Sequence, residues 1–153
     1  MTMFGIFIKL RNIIYLSIMA LLLTSCSSKP ALDLVNNKLK PCPNSPNCVN
    51  SFSKPDKKSY VEPIFYKTND PNIINKIIVI IEKMPRTKLV TRAPNYLHFE
   101  FKTFLGFVDD VEIYISTENY IHFRSASRIG YYDFNKNYNR YLKIKNDLLS
   151  TTN

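Results

Sequence analysis

Three carboxylates, Asp109, Asp110 and Glu112, fall within four residues of a segment whose side chains alternate as a strand's do. Successive strand side chains point to opposite faces, so Asp110 and Glu112 share one face while Asp109 joins Val111 on the other. Paired carboxylates perform acid–base or glycosidic chemistry when their surroundings drive their pKa values apart. They also bind calcium, but that takes six or more oxygens, and this set falls short unaided. The same polar face is predicted to carry His98, Glu100, Lys102, Tyr114, His122 and Arg124, which reads as a solvated sheet face with cross-strand ion pairs. Ser125-Ala126-Ser127-Arg128 is not a nucleophile elbow, for it lacks G-x-S-x-G. A serine hydrolase would also need a positioned base, and only an accident of folding would bring His98 or His122 there. Two readings stay open for Arg124, Arg128 and Arg140. They tie carboxylates and chain ends together around Gly130, or, with Ser127 and Asp133, they recognise an anion such as a phosphate or carboxylate.

The elements that position these groups are legible from periodicity. Asp70-Pro71 opens a helix in which Ile73, Ile74, Ile77, Ile78 and Ile81 fall at helical spacing, and Pro85 stops it. Tyr60 to Tyr66 reads as a strand interrupted at Pro63, and Lys88 to Ala93 as another, followed by a turn at Ala93-Pro94-Asn95-Tyr96. Leu97, Phe99 and Phe101, then Val111, Ile113 and Ile115, then Ile121 and Phe123 each alternate with polar residues. The tail from Asn137 to Leu149 sets Tyr138, Tyr141, Leu142, Leu148 and Leu149 on a helical stripe. The expected fold is therefore α+β, an antiparallel meander of about four to five strands covered by two helices in two layers. Opposed side chains share a face, so the loop between the last two strands must be odd in length, Ser116 to Glu118 or Ser116 to Tyr120. The shorter loop sets Arg124 opposite Asp110 and the longer one opposite Glu112.

Ahead of this domain lies an export signal. Lys9 and Arg11 precede an apolar run, Ile13 to Leu23, broken only by Ser17, and Leu23-Thr24-Ser25-Cys26 closes it. The run is short for a membrane span of roughly 20 residues but suits a signal peptide. Leu, two small residues and Cys resemble the lipobox at which lipoproteins are cut and acylated. Ser27 follows the cysteine, where an aspartate would favour the inner membrane, so an outer membrane is expected if the cell has two. The organisation expected is a signal peptide over 1–25, a lipidated tether with a cysteine loop over 26–58, and the α+β domain over 59–150. The formal charge is +9, or +7 once Lys9 and Arg11 are removed. The stretch Lys29 to Lys58 carries six lysines against two aspartates, a second contact for anionic lipid or merely a solvated tether. No arginine-rich or aromatic-interleaved basic run is present, and export argues against nucleic acid.

Cys42 and Cys48 flank Pro43-Asn44-Ser45-Pro46-Asn47, a turn sequence that brings chain ends together. In an oxidising compartment the pair reads first as a disulfide, then as a redox pair with wider spacing than C-x-x-C. Zinc would need further ligands, and the nearest histidine is His98, so neither metal nor cofactor is expected.

The segments CPNSPNCVNS, YLHFEFKTFLGFVDDVEIYI and FRSASRIGYYDFNKNYNR together resemble a bacterial and plastid family known as domain of unknown function 1499. Its pattern is similar to C-P-x-S-P-N-C-V-S-S, F-V-D-D-V-E and R-S-A-S-R-x-G-Y-x-D-x-G-x-N. The resemblance spans most of Pro41 to Arg140. By position it picks out Cys42, Cys48, Asp109, Asp110, Glu112, Arg124, Ser125, Ser127, Arg128, Gly130, Asp133, Asn137 and Arg140. Asn135 stands where the family usually has glycine, and asparagine tolerates the left-handed conformation that a tight turn there would need. The resemblance implies an architecture and supplies no reaction.

These features together predict a lipid-anchored envelope protein whose small domain binds an envelope partner or an anionic ligand. The alternative is a hydrolase using Asp109, Asp110 or Glu112 with Arg124 or Arg128. Replacing Cys26 by serine should release the domain from membranes or leave an unprocessed precursor. Palmitate labelling that persists in that variant would overturn the anchor.

Overall fold

The alternation read from the sequence folds into a meander. A computed structural model describes residues 33–66 and 70–151. The signal segment, Cys26 and the start of the tether lie outside those residues. In chain order the elements are β1 (Cys48–Asn50), β2 (Ile64–Phe65), α1 (Ile73–Glu82), β3 (Thr87–Arg92), β4 (Tyr96–Lys102), β5 (Val108–Ile115), β6 (Tyr120–Ser127) and α2 (Lys136–Thr151). They form an α+β fold, two helices against a six-stranded antiparallel sheet. The sheet order is β1-β6-β5-β4-β3, and β2 pairs with the same strand, β6, as β1 does.

Local chemistry sets the turns. The Ala93 amide donates to the Tyr96 carbonyl at 2.8 Å and closes β3 onto β4. Asn119, at φ +64°, occupies the left-handed region between β5 and β6, which asparagine enters more readily than most residues. Ile115 pairs with Ile121 and Glu112 with Arg124, so the longer of the two odd loops, Ser116 to Tyr120, is the one formed. Asn135, at φ +59°, adopts the left-handed conformation expected of a tight turn there.

The core lies between the sheet and the helices. Leu97, Phe99, Val111, Ile113, Ile121 and Phe123 point from the sheet toward Ile77 and Ile81 of α1 and toward Tyr141, Ile144 and Leu148 of α2. Isoleucine is a mediocre helix former because its branched Cβ loses rotamers against the preceding turn. α1 is helical nonetheless, because five of its isoleucines are buried against that sheet.

Three expectations are corrected. The cysteine segment is no tether: Cys48 to Asn50 pair with β6 from Ala126 to Arg124, so the folded unit begins well before residue 59. The expected strand from Tyr60 shrinks to Ile64–Phe65, as Pro63 has no amide to donate, and Tyr60 makes only an isolated bridge to Asn50. The buried stripe of α2 runs through Asn137, Tyr141, Ile144 and Leu148, while Tyr138 and Leu149 are exposed. Ile144→Ala should therefore cost about 2–5 kcal/mol in chemical denaturation, and Leu149→Ala clearly less. Equal losses at the two positions would contradict this packing.

Candidate functional site

The three carboxylates are buried and paired. Glu112, at 0% exposure, receives the Arg124 guanidinium at 2.6 Å on one oxygen and the Tyr96 hydroxyl at 2.9 Å on the other. Asp110 meets Arg128 through two bonds, at 2.8 and 2.7 Å, and His98 Nε2 at 2.8 Å. Arg128 also donates to Glu100 at 2.6 Å. On the opposite face Asp109 accepts from Arg140 at 2.7 Å. Burial pushes the Asp110 carboxyl up, but hydrogen bonds from Arg128 and His98 outweigh it and hold the group below the usual carboxylate range. Burial beside the Glu112 charge pushes the Tyr96 phenol up, which keeps it a donor.

Most of the sheet face expected to be solvated is instead covered, with Lys102 at its end left exposed. Leu34, Leu39 and Phe52, from the segment read as tether, pack with Tyr96 and Tyr114 over it. Asn50 fastens that cover by donating from its side chain to the Lys40 carbonyl at 2.8 Å.

Arg140 shows what the family-matched residues on the helix face do. Its guanidinium reaches Asp109, Ser125 at 2.9 Å and Asn137 at 2.6 Å, and lies 4.5 Å over the Phe101 ring. Asn137 in turn donates to the Asn47 carbonyl at 2.8 Å and to Ser127 at 3.2 Å, joining α2, β6 and the cysteine loop. Asp133 caps α2, accepting the amides of Asn135 at 3.0 Å and Asn137 at 2.8 Å. Of the two readings open for the arginines, the geometry is that of ties: each of the three is bound to a carboxylate.

Neither serine of Ser125-Ala126-Ser127 meets a histidine; Ser125 bonds Asn137 and Arg140. A serine–histidine contact does occur at a residue the sequence did not single out, Ser51, whose Oγ is 3.3 Å from His122 Nδ1. That hydroxyl also accepts the Phe123 amide at 3.0 Å, and Phe52 stacks on the imidazole at 4.1 Å. Ser51 is buried and His122 half-buried beneath Phe52. Burial pushes the His122 imidazole below its ordinary value.

Open surface lies elsewhere, in a groove of about 1040 Å³ between the cysteine loop and the chain that follows β6. A disulfide joins Cys42 to Cys48 and closes one wall. Lys54, Lys57 and Lys58 line a second side, and Tyr131, Tyr132 and Tyr138 a third. The lysine turn is braced by the Lys57 amide on the Lys54 carbonyl at 3.0 Å and by the Asn50 amide on the Ser59 carbonyl at 2.7 Å. Three ammonium groups attract an anion, and three phenol rings offer flat faces and hydroxyl donors. No histidine lines the groove, its cysteines are oxidised, and its one carboxylate, Asp133, is spent capping α2. The groove offers positive charge and phenol faces to a charged ligand. Of the sequence-predicted ligand residues it includes only Asp133. The cue for the rest was the lysine cluster at 54–58 and the tyrosine pair at 131–132.

The model for "Protein of unknown function (DUF1499)" matches residues 38–148. The chain belongs to the DUF1499 family. The match takes in the cysteine loop, the whole sheet and most of α2, in agreement with a fold that starts before β1. No curated protein and no solved structure matches the chain.

The depressed Asp110 carboxyl sets an acid dependence. Its stabilisation is fully present above the ordinary value of 3.8 and is lost as pH falls through the lower folded value. Asp110→Asn removes this dependence. Its stability should fall less steeply than the parent's between about pH 4 and pH 2, read from denaturant midpoints at each pH. Parallel curves would mean that Asp110 titrates alike in the folded and unfolded chains.

Proposed function

We propose that this DUF1499 protein is exported, acylated on Cys26 and held at the cell envelope, where its domain binds an anionic ligand in the lysine–tyrosine groove. The observation that carries the reading is the division of charge. The buried carboxylates are each matched to an arginine, whereas Lys54, Lys57 and Lys58 line open surface and form no ion pair among the described residues. Cations left uncompensated in a concave, tyrosine-lined site favour a ligand with negative charge and a flat or ring-shaped body. An acidic sugar fits that description, carboxylated or phosphorylated, and the envelope is built from such groups. The lipobox supports the anchor, and Ser27 after the cysteine supports the outer membrane where there are two.

Hydrolysis by Asp109, Asp110 or Glu112 would require one of them to leave its cation and reach solvent. Breaking a buried pair by removing one partner costs about 3–5 kcal/mol, which disfavours that reading.

Amide NMR during titration with a sugar phosphate and with a carboxylated amino sugar tests the groove. Shifts should cluster at residues 53–59 and 131–138. They should vanish in the K54E/K57E/K58E variant, whose substitutions lie at exposed positions. Neutral sugars that shift the same amides equally well would overturn the anionic reading. Turnover of either compound would favour the hydrolase.

A further inference from the structure

At the end of the sheet where β4 turns into β5, the fold leaves large apolar side chains in water. Phe104 and Leu105, at the hairpin tip, are 89% and 77% exposed, and Phe134, in the loop after β6, is 77% exposed. Register brings the two loops to one end. Lys102 and Val108 form the last rung of the β4–β5 pairing, and the Arg128 amide donates to the Val108 carbonyl at 3.0 Å. The tip is a tight turn rather than loose chain. The Thr103 amide reaches the Phe107 carbonyl at 2.8 Å, the Gly106 amide reaches the Thr103 carbonyl at 3.1 Å, and Gly106 takes φ +85°.

Exposed tyrosines and cations share this end of the sheet with those apolar side chains. The tyrosines are Tyr131 and Tyr132, with Tyr132 edge-on to Phe134 at 5.2 Å between ring centres. Arg86 and Lys102 stand at the base of the hairpin, joined by a 3.1 Å bond from Arg86 Nε to the Lys102 carbonyl, and Lys136 opens α2. The acids at this end are already engaged, Glu100, Asp109 and Asp110 by Arg128 and Arg140, and Asp133 by the amides of Asn135 and Asn137. Apolar side chains, tyrosines and cations gathered at one end are the three kinds of group that an anionic leaflet takes up, in its acyl chains, its interface and its charged headgroups. A convex tip needs a matching cavity in a protein partner, whereas fluid lipid deforms around it.

We propose that this tip inserts into an anionic lipid surface, Phe104 and Leu105 entering the acyl region and Arg86, Lys102 and Lys136 lying against headgroups. The proposal rests on neither the groove ligand nor acylation of Cys26.

The chain has no tryptophan, so Phe104→Trp introduces a single indole at the tip, and Val79→Trp places one on the exposed side of α1 as a reference. The full chain is reconstituted in phosphatidylglycerol-containing vesicles. Nitroxide-labelled lipid is placed in its own vesicles or, in a parallel sample, in added protein-free vesicles. In one of the two samples the indole at 104 should shift to the blue and be quenched severalfold more than that at 79. R86E/K102E, or replacement of the anionic lipid by phosphatidylcholine, should remove most of that difference. Equal quenching at the two positions would overturn the proposal. So would a blue shift at 104 that grows with protein concentration in the absence of quenching, which would mean that a second copy covers the tip.

Discussion

A carboxylate sealed from water stays ionised only if a cation and hydrogen bonds replace its lost solvation. Glu112 imposes that condition at the centre of the sheet, and much of the architecture follows from meeting it. Arg124 must stand directly across on β6 and Tyr96 must reach over from β4, which fixes the register of three strands at once. The cover formed by Leu34, Leu39 and Phe52 then closes over a carboxylate that is already paired, with Arg124 Nε the one buried side-chain nitrogen there without a partner among the described residues. A neighbouring hydrophobic face would tolerate a two-residue slip far more easily. Net stability is a weak reason for such pairs, since well-packed apolar groups in their place are often as stable.

The same condition divides the molecule's charge into two populations. Arg124, Arg128 and Arg140 face inward, where a planar guanidinium can bind both oxygens of Asp110 or bridge Asp109, Ser125 and Asn137. Lysines stay at the groove and at the sheet end, where their hydration is kept. The positions shared with the DUF1499 pattern fall mainly in the first population. They report how the domain is held together, and this is why the family motif is specific yet names no reaction.

What was legible in the sequence was what depends on neighbours two to four residues apart. Alternation placed Leu97, Phe99, Val111, Ile113, Ile121 and Phe123 on one face, and parity alone reduced the last hairpin to two registers. What escaped was set by distant contacts. β1 is three residues long, wedged between a disulfide loop and a lysine turn, so no period can form in it. Ile144 sits between Lys143 and Lys145 and looks exposed, although its helical face meets the core. The cover over Glu112 depends on a few scattered apolar residues in a lysine-rich segment. The groove joins Lys54 to Tyr138, groups that only the folded chain brings together.

The disulfide has a mechanical consequence. Force applied from the N-terminal side, as an anchor at Cys26 would apply it, arrives at Asp33 and travels along the segment that covers the polar face. At Cys42 the load crosses the sulfur bridge to Cys48 and enters the sheet at the rung between Cys48 and Ala126. The intervening loop, with Asn47 bonded to Gly130, is bypassed and carries no tension. While the bridge is intact the loop between residues 42 and 48 cannot be drawn out, and the load passes to the pairing of β1 with β6.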